Sequence, residues 1–116
     1  MSDPSRGQIW WVDLDPTRGS ETCKTRPAVV VSSDAASRLP VRLVVPLTEW
    51  KEKHQEYLWR LKVEPSQLNG LSKVSAADAL QIRCVSLDRF DNQVGLLEAT
   101  LMSELCAAIA LVVEIE

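Results

Sequence analysis

The run Ala28-Val29-Val30-Val31, entered through Arg26-Pro27, constrains the chain more than any other stretch. Consecutive β-branched residues without polar alternation describe a strand buried on both faces. Pro27 suits the first residue of that strand, where no ladder hydrogen bond is lost from its middle. Arg26 then sits at the strand's lip, and the polar segment from Gly19 to Thr25 reads as a mobile loop before it. A cation held by a rigid scaffold beside a loop suits phosphate recognition. The same residues also describe an ordinary solvated arginine flanking a strand.

Around this strand the chain reads as one domain over residues 1–116, with residues 1–5 frayed. Gly7–Asp13 forms a first strand in which Trp10 and Trp11 point to opposite faces, one into the core and one toward a partner or loop. Ser32-Ser33-Asp34 can cap a short turn. A third strand, Val41–Leu47, ends at Thr48, whose hydroxyl can face a cleft. The charged segment from Glu49 to Glu56 reads as a loop, with Trp50 either a base-stacking platform or folded onto the core. Tyr57–Val63 is a fourth strand, Glu64–Asn69 a helical turn closed by Gly70, and Ser75–Ser86 a strand interrupted near Asp78. Leu87–Asp91 has short-helix character and Gln93–Leu97 is a last strand. Thr100 can cap a closing helix whose apolar stripe includes Leu101, Leu105, Cys106, Ile109 and Val113. Many short strands and one terminal amphipathic helix predict a mainly β fold, a small and strongly curved sheet or barrel.

The net charge of −3 argues against a nucleic-acid binder until its distribution is considered. Residues 1–26 are neutral, 27–63 carry +2 and 64–116 carry −5. Arg18, Lys24, Arg26, Lys51, Lys53 and Arg60 can therefore form a local positive surface, and local field governs capture of a polyanion. Scattered solvated cations would have the same composition. Cys23, Cys84 and Cys106 have no metal-ligand spacing and read as free thiols, consistent with a cytoplasmic setting. No apolar run approaches a membrane span of about 18–20 residues. No triad, phosphate-binding glycine loop or cofactor fingerprint is present, so neither cofactor nor metal is expected.

Residues 6–34, together with Val44-Val45-Pro46-Leu47-Thr48, Gln81-Ile82-Arg83 and the C-terminal helix, resemble the MazF/PemK family of ribonuclease toxins from toxin–antitoxin pairs. The resemblance spans nearly the whole chain. It implies an SH3-like barrel of the MazF/PemK/CcdB type with a C-terminal helix, homodimerisation, and inhibition by a cognate antitoxin with an acidic, disordered segment. It places the family's catalytic pair on Arg26 and Thr48. Contacts to single-stranded RNA are expected from Arg18, Ser20, Glu21 and Lys24 in the first loop, from Trp50, and from Gln81 and Arg83.

Cleavage by such a pair needs neither metal nor water: the ribose 2′-hydroxyl attacks phosphorus and the 5′-oxygen leaves. A guanidinium and a hydroxyl suit the charge that develops. Arg26 is assigned stabilisation rather than proton abstraction, because its pKa lies above about 12. His54 alone titrates near neutrality unaided, but it reads as a solvated loop residue. Three departures from the PemK pattern are visible: Ser20 stands where a histidine can occur, Leu80 where an aspartate can, and Glu49 follows Thr48. These favour the Arg/Thr arrangement over a His/Asp one. Two other readings keep the barrel without the chemistry: a CcdB-like toxin that binds a protein such as a topoisomerase, and an SH3-like interaction module.

Overall fold

The valine strand is buried on both faces because two cores meet across it. In the computed structural model, which describes residues 3–115, β2 is Thr25–Val30. Val29 and Val31 enter one core with Ile9, Val45 and Leu47; Ala28 and Val30 enter a second with Trp10, Val12, Leu14 and Val44. Each fully buried valine contributes about 1.5–3 kcal/mol relative to an exposed one. β1 (Gln8–Asp13) pairs antiparallel with β2, and β3 (Val41–Glu49) flanks β2 on its other side. Pro27 is the third residue of β2 rather than the first. It is tolerated because β2–β3 pairing begins only at Ala28, opposite Pro46.

β3 is long because it serves two partners along one edge. Val41–Val44 pair with β6 (Arg83–Ser86), and Leu47–Glu49 pair with β5 (Ser75–Asp78). The expected interruption near Asp78 is a 3-10 turn, Ala79–Gln81, which lets one stretch of chain form both strands. β4 (Arg60–Val63) extends the sheet beyond β5, and β7 (Phe90–Leu96) pairs with β1. The expected strongly curved, mainly β sheet is present; β4 and β7 are the two ends of its strand order and do not pair with each other among the described residues. Register shifts along β1–β7 add the local twist that bends it.

The closing helix α1 (Ala99–Val112) packs Leu105 and Ala108 into the first core, with Leu101, Met102 and Ile109 half-buried beside them. Val113 lies outside this stripe and is exposed. Glu98, not Thr100, is the N-cap. Its carboxylate accepts from Ser66 Oγ at 2.6 Å, which ties the helix start to the 64–70 turn. That hydrogen bond, aided by Asn69 and the Glu98 backbone, holds Glu98 below the usual carboxylate range against the opposing effect of burial.

The turn itself is rigid. Asn69 is fully buried, accepts from Ser66 N and Leu71 N, and donates to Glu64 O. Gly70 closes it at φ +68, where a Cβ would meet Val94 O at 2.2 Å. The N-terminus is ordered further than expected: Pro4 is buried and its carbonyl accepts from Arg42 Nε at 2.8 Å. Met1 and Ser2, which complete the segment expected to fray, lie outside the described residues.

Candidate active site

The β2–β3 pairing ends at Ala28–Pro46, and two residues further along each strand Arg26 and Thr48 line the same clefts. Two adjacent strands thus bring together residues 22 positions apart in sequence. Thr48 is half-buried and paired with Ala76 on β5, whose small side chains and complete burial fix the backbone beneath it. Arg26 donates from Nε to Cys23 O at 3.1 Å. Among the described residues, its Nη1 and Nη2 make no protein hydrogen bond, so the end of the guanidinium is available to a ligand.

Arg26, Thr48 and Glu49 line two clefts at once. The first, about 400 Å³, lies between the β2 and β3 ends and the 70–75 segment, with Trp11 and Lys73 on its walls. The second, about 290 Å³, continues on the other side past Lys51, His54, Arg60 and Asp78. The two clefts therefore adjoin at these three residues. Trp11, 41 % exposed, contributes its face here, whereas Trp10 fills the second core, as the alternation in β1 requires.

The loop before β2 is anchored rather than free. Leu14 is fully buried, its N–H donates to Lys24 O, and Arg83 Nη1 donates to its carbonyl. Gln81 clamps the loop from below, accepting from Thr22 N at 3.1 Å and donating to Ser20 O at 3.0 Å. Ser20 and Gln81 consequently line the second cleft. Arg83 faces Leu14 and lies on neither cleft. Glu21 accepts from Arg18 N at 2.9 Å within its own turn. Arg18, Glu21 and Lys24 are exposed near the cleft without lining it. Trp50 is half-buried, with its ring 5.4 Å from that of His54 in a T-shaped contact and Lys62 Nζ 5.7 Å from its centre, and it lines neither cleft.

His54 departs furthest from expectation. It is 5 % exposed, in a 3-10 turn (Glu52–Glu56), and Nδ1 accepts from Lys51 N at 3.1 Å. That bond requires the neutral tautomer with the proton on Nε2. Burial, reinforced by Arg60, Lys53 and Lys51, lowers its pKa below 6.5, with Asp78 opposing. His54 is thus a neutral donor at pH 7.

Arg60 was expected only as one cation of a local positive surface, and Asp78 was not expected at this site; the structure joins the two beside the cleft. They are a cross-strand pair of β4 and β5, with Arg60 Nε 3.2 Å from Asp78 Oδ2. Asp78 is buried and also caps the Leu80 N–H. Leu80, which stands in the family's aspartate place, points outward at 58 % exposure. No local signal joins residues 48, 60 and 78; only the β3–β5–β4 pairing does. The three thiols are free, and Cys106 accepts from Arg6 Nη2 at 3.1 Å on the far side of the molecule.

Comparison with known proteins identifies the family and the fold. The family described as PemK-like, MazF-like toxin of type II toxin–antitoxin system matches residues 5–113. Endoribonuclease MazF9 of Mycobacterium tuberculosis (strain ATCC 25618 / H37Rv) is 38% identical over 112 residues, covering 91% of this chain and 92% of the relative. Endoribonuclease PemK of Escherichia coli is 52% identical over 50 residues, 40% of this chain and 36% of that protein. In fold, MazF (Form-I) from Deinococcus radiodurans superposes with a TM-score of 0.82 at 22% identity, covering 99% and 100% of the two chains. A mycobacterial endoribonuclease in complex with its cognate antitoxin gives 0.77 at 21% identity, covering 97% of each. An open seven-stranded sheet with one closing helix, a family match over nearly its whole length and a 38% identical relative settle the affiliation. The chain belongs to the PemK-like, MazF-like toxin family of type II toxin–antitoxin systems.

Proposed function

We propose that the protein cleaves single-stranded RNA without a metal ion, by attack of a ribose 2′-hydroxyl on the adjacent phosphorus, with Arg26 and Thr48 as the catalytic pair. The observation that supports this reading is that both residues, near adjoining ends of β2 and β3, line both clefts. RNA laid through both clefts would cross the pair. The Arg26 guanidinium stabilises the negative charge that grows on the equatorial oxygens, and Thr48 Oγ1 donates to one of them. The P–O2′ bond forms as the P–O5′ bond breaks; the 2′-hydroxyl proton is lost and the leaving oxygen gains one. The products are a 2′,3′-cyclic phosphate, or the 3′-phosphate from its opening, and a 5′-hydroxyl.

Ser20 and Gln81 hold the cleft's rim, while Arg18, Lys24 and Glu21 surround the approach. Arg83 serves the reaction only through Leu14, by anchoring the loop. The cations that attract phosphate also attract carboxylates, so an antitoxin with an acidic, initially disordered segment would bind the same depression and compete with RNA. A second copy of the chain is assigned to the apolar shelf of Leu58, Trp59, Leu80, Leu111 and Val112, a hollow of about 330 Å³ on the β4 and helix side. Sedimentation of the pure protein as a monomer at micromolar concentration would remove that assignment.

Incubation with a long RNA in EDTA tests the main reading. Discrete fragments ending in cyclic phosphate are expected, and a substrate with 2′-deoxyribose at the scissile nucleotide should be inert. Cleavage of that substrate would rule out internal attack.

A further inference from the structure

The second cleft extends beyond the catalytic pair, and its lining is mixed in a way that phosphate chemistry does not require. Arg26 and Thr48 occupy one end; Lys51, His54, Arg60 and Asp78 occupy the other. Arg60 is held from two sides. Its Nε lies 3.2 Å from Asp78 Oδ2, and its guanidinium carbon stands 4.8 Å from the centre of the Tyr57 ring. The carboxylate charge and the ring set where the guanidinium sits, while Nε, Nη1 and Nη2 make no protein hydrogen bond among the described residues. His54 adds a second fixed donor, since its Nδ1 is occupied by Lys51 N–H and the proton is on Nε2.

A planar guanidinium with two free parallel donors matches the O6 and N7 acceptors of guanine, the commonest bidentate contact that arginine makes to a base. A second phosphate fits less well. Glu49 and Asp78 share the cleft with Arg26, Lys51 and Arg60, and the Asp78 carboxylate, 3.2 Å from Arg60 Nε, offsets the charge that would otherwise draw a phosphate to that guanidinium. Guanine also carries N–H donors that such carboxylates accept. The volume, about 290 Å³, is that of roughly ten waters at about 30 Å³ each, ample for one unstacked base.

We propose that this end of the cleft is a guanine-reading subsite for a nucleotide flanking the cleaved phosphate, with Arg60 as the reader and Asp78 as the residue that positions it. The inference deepens the ribonuclease reading and rests on RNA crossing Arg26 and Thr48. It is tested by binding rather than cleavage. A random-sequence RNA heptamer pool with 2′-fluoro sugars, which cannot undergo internal attack, is bound to the wild-type protein, and the bound fraction is sequenced.

Guanine should be enriched at one position about five-fold or more, the low end for a bidentate base contact. Replacing that guanine by 7-deazaguanine, which lacks the N7 acceptor, should remove most of the gain. Arg60→Lys keeps a cation against Asp78, so the fold is preserved, but it loses the fork and should lose the enrichment. Absence of enrichment in the wild type overturns the proposal. So does an Arg60→Lys protein that binds less of the pool with the same base preference, which would make Arg60 a phosphate contact. The outcome is separable from the enzyme reading: cleavage of ordinary RNA with no guanine enrichment sinks only the subsite, and guanine enrichment without any cleavage sinks only the chemistry.

Discussion

The two ends of β3 hold arginines in opposite states. At its start, Arg42 is 4 % exposed and, among the described residues, pairs with no carboxylate. Its guanidinium donates instead to four backbone carbonyls, those of Pro4, Ser37, Leu39 and Val41, at 2.8–3.3 Å. Near the other end, Arg26, which lines the same clefts as Thr48, spends one donor on Cys23 O and keeps its terminal nitrogens for the cleft. A guanidinium whose donors are consumed by the chain is a structural strut. One held by a single bond beside a hydroxyl is a binding group in waiting. Charge and sequence do not separate the two; the count of unspent donors does.

Substitution should break this contrast in opposite directions. Arg26→Ala should lower the single-turnover cleavage rate by at least about 10²–10³, the scale of one lost transition-state donor, with little change in melting temperature. Arg42→Met should do the reverse. It orphans buried carbonyls and should destabilise the fold by about 3 kcal/mol, while the rate per folded molecule stays near wild type. Urea unfolding monitored beside the cleavage assay distinguishes the pair.

The chain's own pattern made the valine strand, its burial on both faces, the tryptophan alternation and the closing helix legible, because each depends on neighbours within a few residues. Arg26 and Thr48 were legible as a pair only through the family resemblance, although adjacent strands suffice to bring them together. The rest depended on distant pairing. Asp78 reaches Arg60 through the β4–β5 register, and the burial of His54 depends on its turn folding under Trp50. The Glu98–Ser66–Asn69 cluster likewise joins residues about 30 apart, so the helix start shifted from Thr100 to Glu98. Arg42 carried no sequence sign of its carbonyl cage, which is assembled from the N-terminus and the 37–41 turn.

Smaller effects sharpen the comparison. Thr48→Val keeps the side chain's shape and removes one neutral donor, so a rate loss of about ten-fold is expected, well below that of Arg26. The acid side of the stability profile reports on His54. Its folded pKa is lowered, so the contribution to stability is complete above 6.5, the unfolded value, and is lost as pH falls below 6.5 toward the folded value. Unfolding midpoints should therefore fall between about pH 7 and pH 5, and His54→Gln should flatten that part of the profile. A wild-type profile without that decline would show the imidazole to be solvated after all.

The most direct test of the central claim is a double-mutant cycle on Arg26 and Thr48, read as single-turnover cleavage in EDTA at equal folded concentration. If one developing charge is served by both groups, Arg26→Ala/Thr48→Val should lose less rate than the product of the two single losses. An Arg26→Ala protein that stays folded and cleaves at the wild-type rate would contradict the account, and the cleft would then have to be explained as a protein-binding surface.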